Sequence, residues 1–366
     1  GARYVYMAVG TVSGTSITYG TPVLVPGSVR GYTAGIIWDA SVNAGAIFIG
    51  DSWNAESKYY GFTVSGTNVS VRAVSSSGYV QEGGEKKCIR AASNGSGGFA
   101  IVYVTSNGTL ASRSGSIDSS AALTMGGNSS TYGGQWTGQY QYGNSICDIA
   151  HAPDLGSATS STYGVCCNTG NGTTVQGRLL TGQNGGSHTL QGSFNIQTSI
   201  DNSQAASLTY NTEFSCFYTI YRYGSSTYCR TWGANGTSGQ NISNNIDVGG
   251  GGAHSGYGCI VDYNPGTKKA YITLTSGTRL RGIEVTFASN SSMTGSSIYN
   301  ITTSGTESER FTMSTNNTVG KIFAAASDTS SPFYGDTHIW QAEIITSNLT
   351  ANNFLGFSAA AYTNGQ

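Results

Sequence analysis

VGTVSGTSITYGTPV (9–23) decides the fold, because its centre TVSGTSIT (11–18) returns as TVSGTNVS (63–70) fifty-two positions later. Each copy alternates apolar and polar residues about a Ser-Gly-Thr turn, the pattern of a hairpin with one buried face. The offset recurs elsewhere. CIVDYNPGTKKAYI (259–272) and FTMSTNNTVGKIFA (311–324) are again fifty-two apart, which sets Asn264 on Asn316, Lys269 on Lys321 and Tyr271 on Phe323. GIIWDASVNAGAIFIGDSW (35–53) stands in the same relation to KCIRAASNGSGGFAIVYV (87–104), with Ile37 on Ile89. Looser copies start near Cys147 and Cys216, giving about six units, with seven as the upper count.

A period near fifty made of short strands and turns predicts an all-β chain folded as a β-propeller, in which each blade needs its neighbours to cover its apolar faces. Residues 1–34 read as an N-terminal hairpin that closes the ring or pairs with a neighbouring subunit. Residues 35–345 carry the blades, and 346–366 form a C-terminal closing segment with room for a short helical turn. HAPDLGSATSS (151–161) reads as a loop interrupting the third unit, because Pro153 removes a ladder donor. Fifty-three glycines and no apolar period of 3.6 residues exclude a helical domain.

Only 10% of residues are charged and the formal net charge is −1, so no long-range field gathers nucleic acid. No apolar run reaches the roughly 18–20 residues of a membrane-spanning helix. The first residues lack the layout of a signal peptide and open on Gly1, so the chain reads as mature or trimmed.

Seven cysteines and four histidines occur without CxxC spacing, which argues against a zinc site. Adjacent strands of one hairpin would let Cys147 face Cys166 or Cys167, and Cys216 face Cys229, as disulfides. Reduced, buried cysteines acting as small hydrophobes are the alternative.

Signatures of catalysis are missing: there is no GxSxG elbow, no HExxH and no phosphate loop. Asp39, Asp51, Asp262 and Asp328 occupy strand or turn positions from which two carboxylates could meet near an axis as in a glycosidase. Aspartate is equally an ordinary turn residue. The expectation is therefore a non-enzymatic protein without cofactor. His338 and Trp340 share one face of a strand and are candidate contacts for a sugar or a partner subunit. Trp38, Trp53, Trp136 and Trp232 could add aromatic rims, as could the 23 tyrosines.

Eleven Asn-x-Ser/Thr sites are candidate acceptors of N-linked glycan: Asn68, Asn94, Asn107, Asn128, Asn171, Asn235, Asn241, Asn290, Asn300, Asn316 and Asn348. Covalent sugar would account for a polar surface with so few charges.

VGTVSGTSITYGTPV and the closing LTANNFLGFSAAAYTNGQ (349–366) resemble the Gly/Ser/Thr-rich repeats of fibre and appendage proteins of aquatic bacteriophages and large viruses. That resemblance implies an extracellular structural or adhesive role. The expected function is a self-assembling filament or fibre subunit, joined through terminal strand edges and Tyr-rich surfaces. A carbohydrate-binding fibre head or lectin-like adhesin is the alternative, and an extracellular glycoside hydrolase a third.

Overall fold

The computed structural model describes residues 5–13, 16–26, 31–51, 57–72, 79–81, 88–105, 108–126, 130–132, 147–157, 160–169, 174–183, 186–199, 206–223, 226–235, 238–249, 259–276, 279–301, 311–316, 321–327, 335–341 and 353–358. Among them every regular element is a strand, and the strands form seven antiparallel sheets. Five sheets have five strands each and are numbered here as blades 1 to 5, within residues 31–81, 89–132, 147–198, 206–249 and 259–300. A three-stranded sheet lies within 311–341, and a four-stranded terminal sheet joins the two ends of the chain. The all-β propeller expectation holds, at the upper of the two unit counts.

Within a blade the first four strands lie side by side, and the fifth pairs with the third beyond the end of the fourth. In blade 1 the third strand, Ser57–Ser65, pairs with Asn68–Val71 through Phe62 to Ser65, and with Tyr79–Gln81 at Ser57 and Lys58. The terminal sheet repeats this. Tyr6–Ser13 pairs with Ser16–Tyr19 through Gly10 to Ser13 and with Val23–Leu24 at Tyr6 and Met7. The recurring TVSGT segment is thus the third-to-fourth hairpin, with Ser13 opposite Ser16 and Ser65 opposite Asn68. The place of the second strand is taken by Asn353–Ser358, an extended strand within the closing segment that had room for a short helical turn. Likewise Asn264 opposes Lys269 as Asn316 opposes Lys321. Ile37 and Ile89 are not equivalent: one lies near the end of its strand opposite Ala46, the other starts its strand opposite Tyr103, and they meet in one core.

In blades 1 to 5 the second strands are buried on both faces, which is why they read as continuous apolar runs. In Gly98–Val104 of blade 2, Phe99, Ile101 and Tyr103 pack toward blade 1, while Ala100 and Val102 pack toward blade 3. In Cys216–Tyr223 of blade 4, Phe217 and Tyr221 face blade 3, while Tyr218 and Ile220 face blade 5. Met7 and Val9 of the terminal sheet pack on Ile47, Ile49 and Phe62 of blade 1, so the closing sheet is seated by the same rule.

HAPDLGSATSS is mostly strand. The first strand of blade 3 runs Cys147–Ser157 with a shift of register between Ala152 and Ser157, a bulge that absorbs Pro153. Strand-interior glycines have a second cause. Gly45, Gly115 and Gly177 stand directly opposite Phe62, Phe99 and Phe194, whose rings occupy the space a Cβ would need.

Candidate functional site at the blade seams

The first strand of each blade has one free edge, and its backbone donors need partners. In blades 2, 4 and 5 and in the 311–341 sheet, such donors are met by short polar side chains from the preceding blade. Ile89 N–H donates to Thr33 Oγ1 at 3.2 Å, and Leu208 N–H to Asp148 Oδ2 at 2.9 Å. Val261 and Tyr263 N–H donate to Ser207 Oγ and Thr209 Oγ1 at 3.1 and 3.0 Å. Thr315 N–H donates to Asp262 Oδ2 at 2.9 Å. The bonds recur because alternate residues of a first strand point at the next blade.

This network absorbs the carboxylates in which catalysis was sought. Asp39 is buried and accepts from Ser41, from Ser93 Oγ at 2.7 Å and from Gly97 N–H at 2.8 Å. Burial pushes its carboxyl up, but these bonds outweigh it and hold the group below the usual aspartate value. Burial raises Asp262 to about 6 against the Thr315 bonds. Burial also raises Asp148, opposed by the Arg90 guanidinium and the Ser207 hydroxyl. Asp39 and Asp262 are thus struts between blades, and Asp148 is a strut that sequence reasoning missed. Asp328 lies outside the described residues, as does the side chain of Asp51. Among the described residues no His, Cys, Asp and Glu cluster could hold a metal ion, and no helix is long and apolar enough to cross a membrane.

The seam between blades 3 and 4 is different in kind toward its outer side. Tyr221, Tyr223, Tyr228 and Arg230 share the face of blade 4 turned to blade 3, since Tyr221 opposes Tyr228 and the others follow at steps of two. Tyr223 is 40% exposed and meets Tyr228 edge to face at 5.6 Å. Arg230 donates from Nη1 to Ile196 O of blade 3, and its buried Nε has no hydrogen-bond partner among the described residues. Tyr221 OH donates to Asn245 Oδ1, whose Nδ2 donates to Gln197 Oε1 at 2.6 Å. Asn241 Nδ2 donates to Asn195 O at 3.1 Å. Phe194 brings the blades this close, because Gly177 and Gly239 leave room for its ring on either side. The position of Arg230 repeats: Arg113, Arg178 and Arg230 each stand two residues before the first third-to-fourth strand pair of blades 2, 3 and 4. Arg113 also reaches the preceding blade, donating to Val80 O at 2.7 Å.

The seam between blades 2 and 3 holds two histidines against one buried ring. Tyr163 meets His151 at 5.1 Å and His188 at 5.6 Å, and both nitrogens of His188 are buried without hydrogen-bond partners among the described residues. Burial lowers both imidazoles to about 4.

Of the expected aromatic rims, Trp38 is 38% exposed and stacked on Phe62 at 6.0 Å. Trp232 is instead fully buried, stacked on Phe217 at 4.2 Å and donating from Nε1 to Thr219 Oγ1 at 2.8 Å. Alternation could not reveal this, because its strand is covered on both faces. Trp340 and His338 lie in the strand Gly335–Gln341, and their side chains fall outside the described residues, as do Trp53 and Trp136.

Asn68 and Asn290 are exposed at third-to-fourth strand turns, Asn235 is exposed at another, and Asn300 is exposed opposite Arg281. Asn94 donates from Nδ2 to Ser161 Oγ at 2.8 Å across a seam, and Asn241 is engaged as above. Asn107, Asn128, Asn171, Asn348 and the side chain of Asn316 lie outside the described residues.

All seven cysteines are buried free thiols. Cys216 and Cys229 stand four rungs apart, since Cys229 opposes Ile220, a separation near 13 Å along the strands that no disulfide spans. Cys166 faces blade 4 while Cys147 faces blade 2, so that pair points apart. Cys167 does oppose Cys147.

The fold and its seams define a β-propeller. Solved structures similar to it include the fucose-specific lectin of Aleuria aurantia, at 11% identity and a TM-score of 0.53 over 91% of this chain and 97% of that one. That lectin is described as a six-bladed propeller with its own mode of fucose recognition, and a mutant of it was solved with alpha-methyl-L-fucoside, at 12% identity, 87% and 93% coverage and a TM-score of 0.51. A Bacteroides uniformis protein, provisionally a 6-phosphogluconolactonase, matches at 10% identity and a TM-score of 0.53 over 97% of this chain and 100% of that one. No protein-family model and no curated protein matches the sequence. At these identities the similarity establishes the fold.

Proposed function

We propose that this propeller is a non-enzymatic carbohydrate-binding protein and that the seam between blades 3 and 4 holds the sugar. One observation carries the reading: the exposed Tyr223 ring meets the partly buried Tyr228 ring edge to face, on the face of blade 4 that also carries Arg230. A pyranose has an apolar C–H face that packs on a tyrosine ring and hydroxyls that accept from a guanidinium and side-chain amides. Asn241, Asn245 and Gln197 supply those amides from both blades. The group holds no pair of convergent carboxylates, so it suits binding and not bond cleavage. The fucose recognition of the Aleuria lectin makes fucosides the first ligands to try.

The filament reading uses terminal strand edges and Tyr-rich surfaces, and one of those strands, Tyr6–Ser13, is paired along both edges within its own chain. Binding is the better supported of the two, because the similar solved propellers include a fucose-specific lectin. The test is a glycan array followed by titration calorimetry on the best ligand. Tyr223→Ala and Arg230→Gln should each weaken binding about tenfold or more, as loss of a central contact does, with unchanged circular dichroism. Binding that survives both substitutions would remove the site, and an array without any bound glycan would remove the reading.

A further inference from the structure

Cys88 and Cys147 lie 59 positions apart in sequence and face each other across the seam between blades 2 and 3. Cys88 directly precedes the first strand of blade 2, where its carbonyl accepts from Val104 N–H at 3.1 Å. Cys147 opens the first strand of blade 3. The Cys147 thiol donates to Cys88 Sγ at 3.4 Å, and Cys88 Sγ–H donates to the Cys147 carbonyl at 3.6 Å. Both are at most 2% exposed in one apolar cluster with Ala100, Val102, Ile149 and Val165. Cys147 has a rival partner in Cys167 directly opposite, but its sulfur is turned across the seam to Cys88. We infer that Cys88 and Cys147 are a disulfide-forming pair that staples blade 2 to blade 3 when the protein folds in an oxidising environment.

Closing the bond requires the sulfurs to approach by about 1.4 Å, to the usual 2.05 Å. In the closed seam the Cys147 thiol and then the Arg90 guanidinium lower the Cys88 thiol to about 6, against burial. The reaction is ordinary exchange. During folding, before the seam closes over it, the Cys88 thiolate attacks a small-molecule disulfide such as oxidised glutathione and expels one thiolate. Cys147, deprotonated by that leaving thiolate, displaces the second. Two electrons and two protons pass from the protein pair to the glutathione pair. The product adds a covalent tie to blades joined by packing, hydrogen bonds and the Arg90–Asp148 charge pair, and it needs no movement of Cys166 or Cys167.

The test is refolding of the full chain in a glutathione redox buffer, followed by thiol counting in denaturant and non-reducing peptide mapping by mass spectrometry. The expected result is five titratable thiols of the seven, a peptide linking Cys88 to Cys147, and a melting temperature raised by roughly 3 °C or more over the reduced protein. Cys88→Ser should keep its six remaining thiols titratable and melt at the same temperature in both buffers. Seven thiols after refolding, or a map linking Cys147 to Cys167, would overturn the inference. Should Cys88→Ser fail to fold, Cys147→Ser serves the same control, and the map of the unaltered chain decides alone.

Discussion

Adding a single methyl at Gly164 tests whether the seams are packed as tightly as the ring contacts imply. Gly164 lies in the second strand of blade 3, opposite Ala150 and Leu179. A Cβ built there falls 2.4, 2.5 and 2.8 Å from three ring carbons of Phe217 in blade 4, where ordinary carbon contacts are about 3.5–4.0 Å. The ring would have to retreat by about 1 Å, and nothing behind it yields. Phe217 is stacked on Trp232 at 4.2 Å and set edge-on to Tyr210 at 4.8 Å, while Trp232 is pinned by its bond to Thr219. Overpacking of this kind costs about 1–3 kcal/mol. Replacing a strand glycine returns about 0.4–1 kcal/mol through the unfolded chain, so Gly164→Ala should lose about 1–2 kcal/mol in urea unfolding. Gly66→Ala, where φ is +60° and no atom lies within 4 Å, should lose a comparable ~1 kcal/mol through backbone strain alone. The two are separated by a second substitution. Phe217→Leu trims the ring and should recover about 1 kcal/mol of the Gly164→Ala loss as coupling energy, and none of the Gly66→Ala loss. A Gly164→Ala protein as stable as the unaltered chain, or zero coupling to Phe217, would refute the packing argument.

The inner network makes a second prediction. Asp148→Ala strips Ser207 Oγ and Leu208 N–H of their acceptor and leaves Arg90 without its nearby carboxylate, so it should cost about 3 kcal/mol. Asp148→Asn, which can still accept, should cost clearly less, and equal melting temperatures for the two would contradict the strut role. Acid should act with two signs. His151 and His188 fall from 6.5 to about 4 on folding, so the unfolded chain binds their protons first and stability is lost as pH drops from 6.5 toward 4. Discounted for partial exposure, the loss is about 1–2 kcal/mol per ring. Asp262 rises from 3.8 to about 6, so its protonation stabilises the fold as pH falls through 6. His188→Phe should therefore flatten the loss between pH 6.5 and 4 in urea midpoints, and Asp262→Asn should remove the opposing gain. An unchanged profile in either variant would show that the group does not titrate as its burial implies.

The repeat was legible because hairpin register is local. TVSGT at 11–15 and 63–67, and the Asn-to-Lys turns at 264–269 and 316–321, are set by strand alternation and turn chemistry within a dozen residues. From these follow the all-β class, the propeller and nearly every unit. The partners across a seam were not legible, since they lie on different blades 50 to 60 residues apart and side chains of doubly buried strands carry no polar-apolar alternation to mark their direction. Hence Asp262 read as a possible catalytic group and is a strut, Trp232 read as a rim and is core, and Cys147 was matched within its own hairpin while its sulfur turns to Cys88. Arg230 drew no attention as one charge among few, although its spacing from the third-to-fourth hairpin, shared with Arg113 and Arg178, was a readable signal. The sequence by itself determined which strands form and how each hairpin is registered. Which residues meet between blades, and so where a ligand can be held, was decided only when the ring brought separate repeats into contact.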